Sequence, residues 1–119
     1  MKIIYANEET ERQCTSKKDA MKLFGGNSLL VQRLFHRIEM IEQAEVIKDI
    51  IVFYPFHFHK LTGSREGDFA IDVKSRKDKW RIILRPMDEN EQYYNPCHID
   101  EIASTVTIVE IREVSAHYE

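Results

Sequence analysis

The feature that most constrains the fold is a change of hydrophobic period at Pro55. Upstream, Leu30, Val31, Leu34, Phe35, Ile38 and Ile41 recur at three- and four-residue spacing, the mark of one buried helical stripe. Gln32, Arg33, His36, Arg37 and Glu39 fall on the opposite face, which is read as solvated. Pro55 ends whatever helix precedes it. Beyond it the period is two. Phe56, Phe58 and Lys60 fall on one side and His57, His59 and Leu61 on the other. Phe69, Ile71 and Val73 point inward, with Asp68, Ala70, Asp72 and Lys74 outward. Trp80, Ile82 and Leu84 then oppose Arg81, Ile83 and Arg85. Such alternation predicts half-buried strands.

Turn and cap residues divide the rest. Residues 1–5 read as a short first strand and 6–16 as a polar loop. Ser16 suits the N-cap of a helix starting at Lys17, with Asp19 in its first turn. Gly25-Gly26 stops that helix, and Asn27 or Ser28 caps the next. A short third helix is expected around 44–51. The turn-rich segment 62–67 and the polar turn 75–79 flank strands 68–74 and 80–85, which read as a hairpin ended by Pro86. Residues 87–105 are acidic and irregular, with a turn at Asn95-Pro96 and one helical turn near 100–104. Residues 106–112 alternate as a last strand. Helices first and strands afterwards predict one α+β domain over 1–119: N-terminal helices packed on one face of a small antiparallel sheet.

With 119 residues, 43% of them hydrophobic and 31% charged, the chain can bury a core. This excludes a disordered chain and a disulfide mini-scaffold. No run approaches the roughly 20 apolar residues of a membrane helix, and the longest, Ile50 to Phe58, carries Pro55 and His57. No membrane partner is expected. Met1-Lys2-Ile3-Ile4-Tyr5 runs straight into Asn7-Glu8-Glu9, which is no signal-peptide pattern, so a cytoplasmic location is expected. Cys14 and Cys97 form no CxxC pair and read as reduced thiols. His36, His57, His59, His98 and His117 lack the organised spacing of a zinc site, so neither a metal nor another cofactor is expected.

The net charge of -3 conceals a division. Residues 1–59 are neutral overall. Residues 60–85 hold eight Lys and Arg against four Asp and Glu, whereas 87–119 hold Arg112 against eight carboxylates. The basic middle bears on partners rather than on fold. It contains groups that a phosphodiester-cleaving site needs. RNA supplies its own nucleophile, the 2′-hydroxyl. The protein has to accept that proton, neutralise charge on the phosphate and protonate the 5′ leaving oxygen. His59, Lys60, Arg65, Arg81, His117, Tyr118 and Glu119 are the right chemical types. Arg65 sits in a Gly-containing turn, where a planar guanidinium can grip phosphate oxygens. Lys60, Lys74, Arg76, Lys79 and Arg85 are candidates for binding RNA phosphates. Taken by themselves, basic residues on a sheet face are more often an ordinary solvated surface.

The stretch His59-Lys60-Leu61-Thr62-Gly63-Ser64-Arg65-Glu66-Gly67-Asp68-Phe69-Ala70-Ile71-Asp72-Val73, followed by Trp80-Arg81-Ile82, resembles the HigB branch of the RelE/ParE toxin superfamily. That branch shows a His, a Leu, a Gly-Asp-Arg-x-Gly turn, an aromatic-x-Ile strand and an Asn-Trp-Arg-Ile-like strand. Here Ser64 stands where the turn has Asp, and the loop before Trp80 is longer. Lys22-Leu23-Phe24 before a Leu-rich helix also matches. The resemblance covers about Lys17 to Arg85 plus the final strand.

It implies a RelE-like fold and a toxin of a type II toxin–antitoxin system: a ribosome-dependent mRNA endonuclease, metal-independent, that inhibits translation. The implied partners are the ribosome with its mRNA and a helix-turn-helix, HigA-like antitoxin. Residue by residue, His59 matches the family's active-site His, as general base or acid. Arg65 matches the turn Arg and Arg81 the strand Arg, both holding the scissile phosphate. The family's terminal acid-Tyr-His-like group corresponds to the region Glu113-Val114-Ser115 and then Ala116-His117-Tyr118-Glu119. There His117 and Tyr118 either supply the acid or stack on a base, or else form a frayed terminus. His57 reads as support for His59. Two alternatives stay open. One is a ParE-like toxin that binds DNA gyrase and cuts nothing; the other is a catalytically inactive binding module of this fold.

Overall fold

The computed structural model describes residues 1–117. Capping side chains open the N-terminal helices. After strand β1 (Lys2–Tyr5), Asn7 accepts a hydrogen bond from the Thr10 amide at 2.8 Å and starts α1 (Glu8–Thr15). Residues 6–16 are thus not the expected loop, and the difference has a clear cause. Only Thr10 and Cys14 of α1 are buried, so its apolar stripe is too thin to register as a period. Its cap and the glutamates of its first turn, which suit the positive end of the helix dipole, carry the signal instead. Ser16 caps α2 (Lys17–Leu23) as expected, and Gly25 and Gly26 take positive φ and stop the chain from continuing it. Asn27, rather than Ser28, caps α3 (Ser28–Gln43). The short α4 (Ile47–Ile51) and a single 3₁₀ turn at Tyr54–Phe56 follow.

The sheet contains β2 (His59–Lys60), β3 (Phe69–Asp72), β4 (Arg81–Met87) and β5 (Ile108–Ser115), with the single-turn helix α5 (Ile99–Ile102) before β5. Its order is β1-β5-β4-β3-β2. The expected all-antiparallel sheet is therefore corrected to a mixed one, because β1 pairs with β5 in parallel. A parallel pair needs a long crossover, and here most of the chain lies between its two strands. The remaining pairs are antiparallel, with β3 and β4 forming the expected hairpin. Phe58 stacks on Phe69 with ring centroids 5.0 Å apart, holding the short β2 against β3.

The helices cover one face of the sheet. Leu34 and Ile41 of α3 are fully buried and share one core cluster with Phe69, Ile71, Ile82 and Leu84. Trp80 lies one residue before β4, edge-on to Phe24 at 4.9 Å. Arg37, assigned above to the solvated face of α3, is instead buried. Its Nε donates to the carbonyls of Asp72 and Val73 at 3.1 and 3.2 Å, and its guanidinium lies over the Phe56 ring. It satisfies the carbonyls where β3 ends, which explains a buried charge on this helix. No described helix is long and apolar enough to cross a membrane.

Candidate functional site

Residues directly opposite in paired strands share a face. The register therefore places His59, Ala70, Ile83 and Glu113 in one row on the face away from the core cluster. Asp72, Arg81 and Ser115 form the adjacent row. On the other side of the first row, Arg85 faces Glu110. The register shifts between Ile83 and Leu84, which pair with Glu113 and Ile111, so Arg112 is the extra residue of a bulge. A bulge re-aims side chains locally, and here it turns Arg112 and Glu113 toward one cluster of ion pairs.

Asp68 stands at the centre of that cluster. Its carboxylate lies 3.4 Å from Arg65 Nε, 3.3 Å from Arg112 Nε and 3.6 Å from Arg85 Nη1. Arg65 also reaches across to Glu113, with Nη1 2.8 Å from Oε1. Arg112 donates to Glu110 Oε1 at 2.8 Å and to the Tyr93 hydroxyl at 2.7 Å, and Tyr93 donates to Glu110 at 2.6 Å. The Arg85 guanidinium lies 4.2 Å from the Tyr93 ring centroid. Burial and the hydrogen bond to Glu110 raise the Tyr93 hydroxyl pKa. Burial opposes the Arg112 charge, but Asp68, Tyr93 and Glu110 outweigh it and raise its pKa. Ser64, Arg65, Asp68, Arg85, Arg112 and Glu113 line an open cavity of about 320 Å³. Three guanidiniums meet Asp68 and Glu113 there, and Glu110 beside Arg112 makes a third carboxylate, so the cluster is balanced in charge and offers guanidinium forks that an anion can take over from their carboxylate partners.

Two of these contacts explain residues that the sequence left as ordinary turn or strand. Asp68, expected to point to solvent, is 3% exposed; three arginines make its burial tolerable. Gly67 has φ of 98°, and a β-carbon there would stand 2.8 Å from Arg85 Nη2. The backbone is what requires glycine, and the missing β-carbon also lets the guanidinium approach closely.

The histidines lie at the other end of the row. His59 Nδ1 is 2.8 Å from the His57 carbonyl. A carbonyl can only accept, so Nδ1 carries a hydrogen, and in the neutral ring Nε2 is the nitrogen left with a lone pair. The two imidazoles are 4.8 Å apart, and His57 Nδ1 is 3.6 Å from Asp72 Oδ1.

Arg81 departs from its expected outward position. It is 6% exposed, with Nε 3.1 Å from Asp72 Oδ1. Its guanidinium also donates to the carbonyls of Ser75, Arg76, Asp78 and Trp80. These bonds stitch the 75–80 loop to the end of β3. They also cover Asp72, another residue expected to face outward.

The other candidates are dispersed. Arg65 and Arg85 meet at Asp68. Lys60 is exposed and lines a separate cavity of about 550 Å³ with Arg85, Tyr94 and Cys97. Lys74, Arg76 and Lys79 are exposed on the loop after β3. His117 follows the end of β5, its amide donating to Ser115 Oγ at 2.8 Å, and Tyr118 lies outside the described residues. In the sequence, Arg112 reads only as a residue of the last strand, and Glu113 only as the start of the region that the resemblance matches to the family's terminal group. Their place in the site depends on the bulge, which no spacing rule reveals. Among the described residues, no three His, Cys, Asp or Glu side chains gather closely enough to hold a metal ion. No protein-family model matches the chain, and no curated protein matches it.

Proposed function

We propose that the chain is the toxin of a type II toxin–antitoxin pair and cleaves mRNA on the ribosome by metal-independent acid–base catalysis. The observation that carries this reading is the 2.8 Å contact between Arg65 and Glu113 at the edge of a cavity lined by three arginines. A phosphate entering that cavity competes with Glu113 for the Arg65 fork. The displaced carboxylate then stands beside the bound phosphate, available as a base.

In the proposed step Glu113 accepts the proton of the RNA 2′-hydroxyl. The 2′-oxygen attacks phosphorus, and the bond from phosphorus to the 5′-oxygen breaks. The products are a 2′,3′-cyclic phosphate and a 5′-hydroxyl. Arg65 and Arg85 hold the charge developing on the phosphate oxygens. His59, in the same row, protonates the leaving 5′-oxygen when its ring is in the imidazolium form. His59 and Glu113 are three strand spacings apart, roughly 14 Å between backbones, a separation their side chains and a phosphodiester can fill. Arg81 acts in this reading as a positioning residue, since it fixes Asp72 beneath His57. The ribosome supplies an oriented mRNA, and a helix-turn-helix antitoxin silences the chain in the cytoplasm.

Inducible expression followed by mapping of mRNA 5′ ends tests this. Growth arrest with new 5′ ends in translated transcripts is expected, and Arg65→Ala or Glu113→Gln relieves both. The pairing of every arginine in this cavity with a carboxylate favours one other reading, a protein-binding module. Intact transcripts with no effect on gyrase supercoiling would favour that module, whereas intact transcripts with inhibited supercoiling would point to a ParE-like toxin.

A further inference from the structure

We propose that a second cleft, beyond His57, seats a nucleotide of the same RNA strand beside the step that is cut. Its phosphate lies among Arg33, Lys74 and Arg76 and its base stacks on Tyr54. The inference takes the direction of the strand from the proposed function, but binding in the cleft is measurable without cleavage.

The cleft has a volume of about 560 Å³ and lies between α3, the Tyr54–Phe56 turn and the loop after β3. Arg33 enters it from the helix, and Lys74 and Arg76 from the loop. All three are exposed, and none makes an ion pair within the described residues. The one carboxylate in the lining is Asp72, whose side chain is 2% exposed and already paired with Arg81 at 3.1 Å. The cleft therefore has a surplus of positive charge with nothing of the protein's own to neutralise it. The Asp68 cluster differs, since each arginine there has a carboxylate partner. The surplus also opposes stability. Arg33 stands one helical turn from the buried Arg37, and like charges at that spacing repel.

A cationic surface alone fits any anion. Tyr54 narrows the choice, because it is 80% exposed and lines the same cleft. An exposed ring beside unpaired cations is the arrangement that holds single-stranded nucleic acid, with stacking on the base and charge on the backbone. An acidic protein segment would use the cations and leave the ring idle. Continuity points the same way. His57 lines the cleft, and its ring is 4.8 Å from that of His59. A strand held at Arg65 and passing His59 thus arrives at Tyr54.

The test uses a fluorescein-labelled 2′-O-methyl oligoribonucleotide of about eight nucleotides, which has no 2′-hydroxyl and cannot be cut. Its binding to the purified chain is followed by anisotropy over a range of salt. Tyr54→Ala is expected to weaken binding about 10-fold. Arg33→Gln should lower the slope of log affinity against log salt by about 0.7. Both side chains are exposed, so neither variant's thermal midpoint should fall below that of the parent chain. Parent-like affinity and salt slope in both variants would overturn the proposal even if mRNA cleavage is intact. So would an acidic peptide that binds the cleft while Tyr54→Ala leaves RNA binding unchanged. Conversely, intact mRNA in cells expressing the parent chain would remove the nuclease reading, and loss of oligonucleotide affinity in the two variants would still place RNA in the cleft.

Discussion

Arg65 Nη1 and Glu113 Oε1 lie 2.8 Å apart, joining the turn between β2 and β3 to the far part of β5. Both side chains are partly exposed, so the pair contributes no more than about 1 kcal/mol to stability. Glu113→Gln should leave the urea midpoint almost unchanged and lower mRNA cleavage at least ~100-fold, the usual worth of a general base. A large loss of stability with cleavage retained would make the contact a structural tie.

Asp68 should behave oppositely. Its side chain is 5% exposed and serves three arginines. Asp68→Asn leaves those charges facing one another and should destabilise the fold by about 3 kcal/mol. Urea denaturation measures this directly. A change below ~1 kcal/mol would mean that Glu110 and Glu113 suffice to neutralise the cluster.

Gly67→Ala should cost about 1–3 kcal/mol, the range for a strained backbone residue. The guanidinium of Arg85 can swing away from the new β-carbon, so the φ of 98° is the larger cost. Moving Arg85 would also take it off the Tyr93 ring, and a change in tyrosine fluorescence relative to the parent chain would report it.

The cysteines should differ in reactivity. Burial pushes the Cys14 thiol from its ordinary 9.0 up to about 12. The folded chain then keeps a proton that the unfolded chain gives up above about pH 9. Any effect of Cys14 on stability is absent below that pH, and stability declines as pH rises toward 12. At pH 8 a disulfide reagent should modify the half-exposed Cys97 first and reach Cys14 only on unfolding.

Legibility in the sequence follows from where each signal resides. The α3 stripe and the β3–β4 hairpin depend on local period, and both are readable from the order of residues. The parallel pairing of β1 with β5 depends on the crossover between distant strands and is not. Burial of Asp68, Asp72 and Arg37 escapes the pattern for one reason: alternation assigns charged residues to solvent, and only tertiary partners reverse that. The same rule places Arg81 outward, though its donors hold the loop beside it. Of the candidate site, the His59 strand and the Arg65 turn are legible as chemical types. Arg112 is not, and Glu113 is only as part of the region matched to the family's terminal group, because the bulge that brings Arg112 to Asp68 and Glu113 to Arg65 has no signature in spacing.

The most direct test of the nuclease reading is cleavage of an mRNA programmed on purified ribosomes, with the chain added and the 5′ ends read by primer extension. Cleavage that yields a 5′-hydroxyl, persists in excess chelator over any added catalytic metal and falls at least ~100-fold in Glu113→Gln is the expected result. An uncut message, or full cutting by Arg65→Ala and Glu113→Gln together, would contradict it.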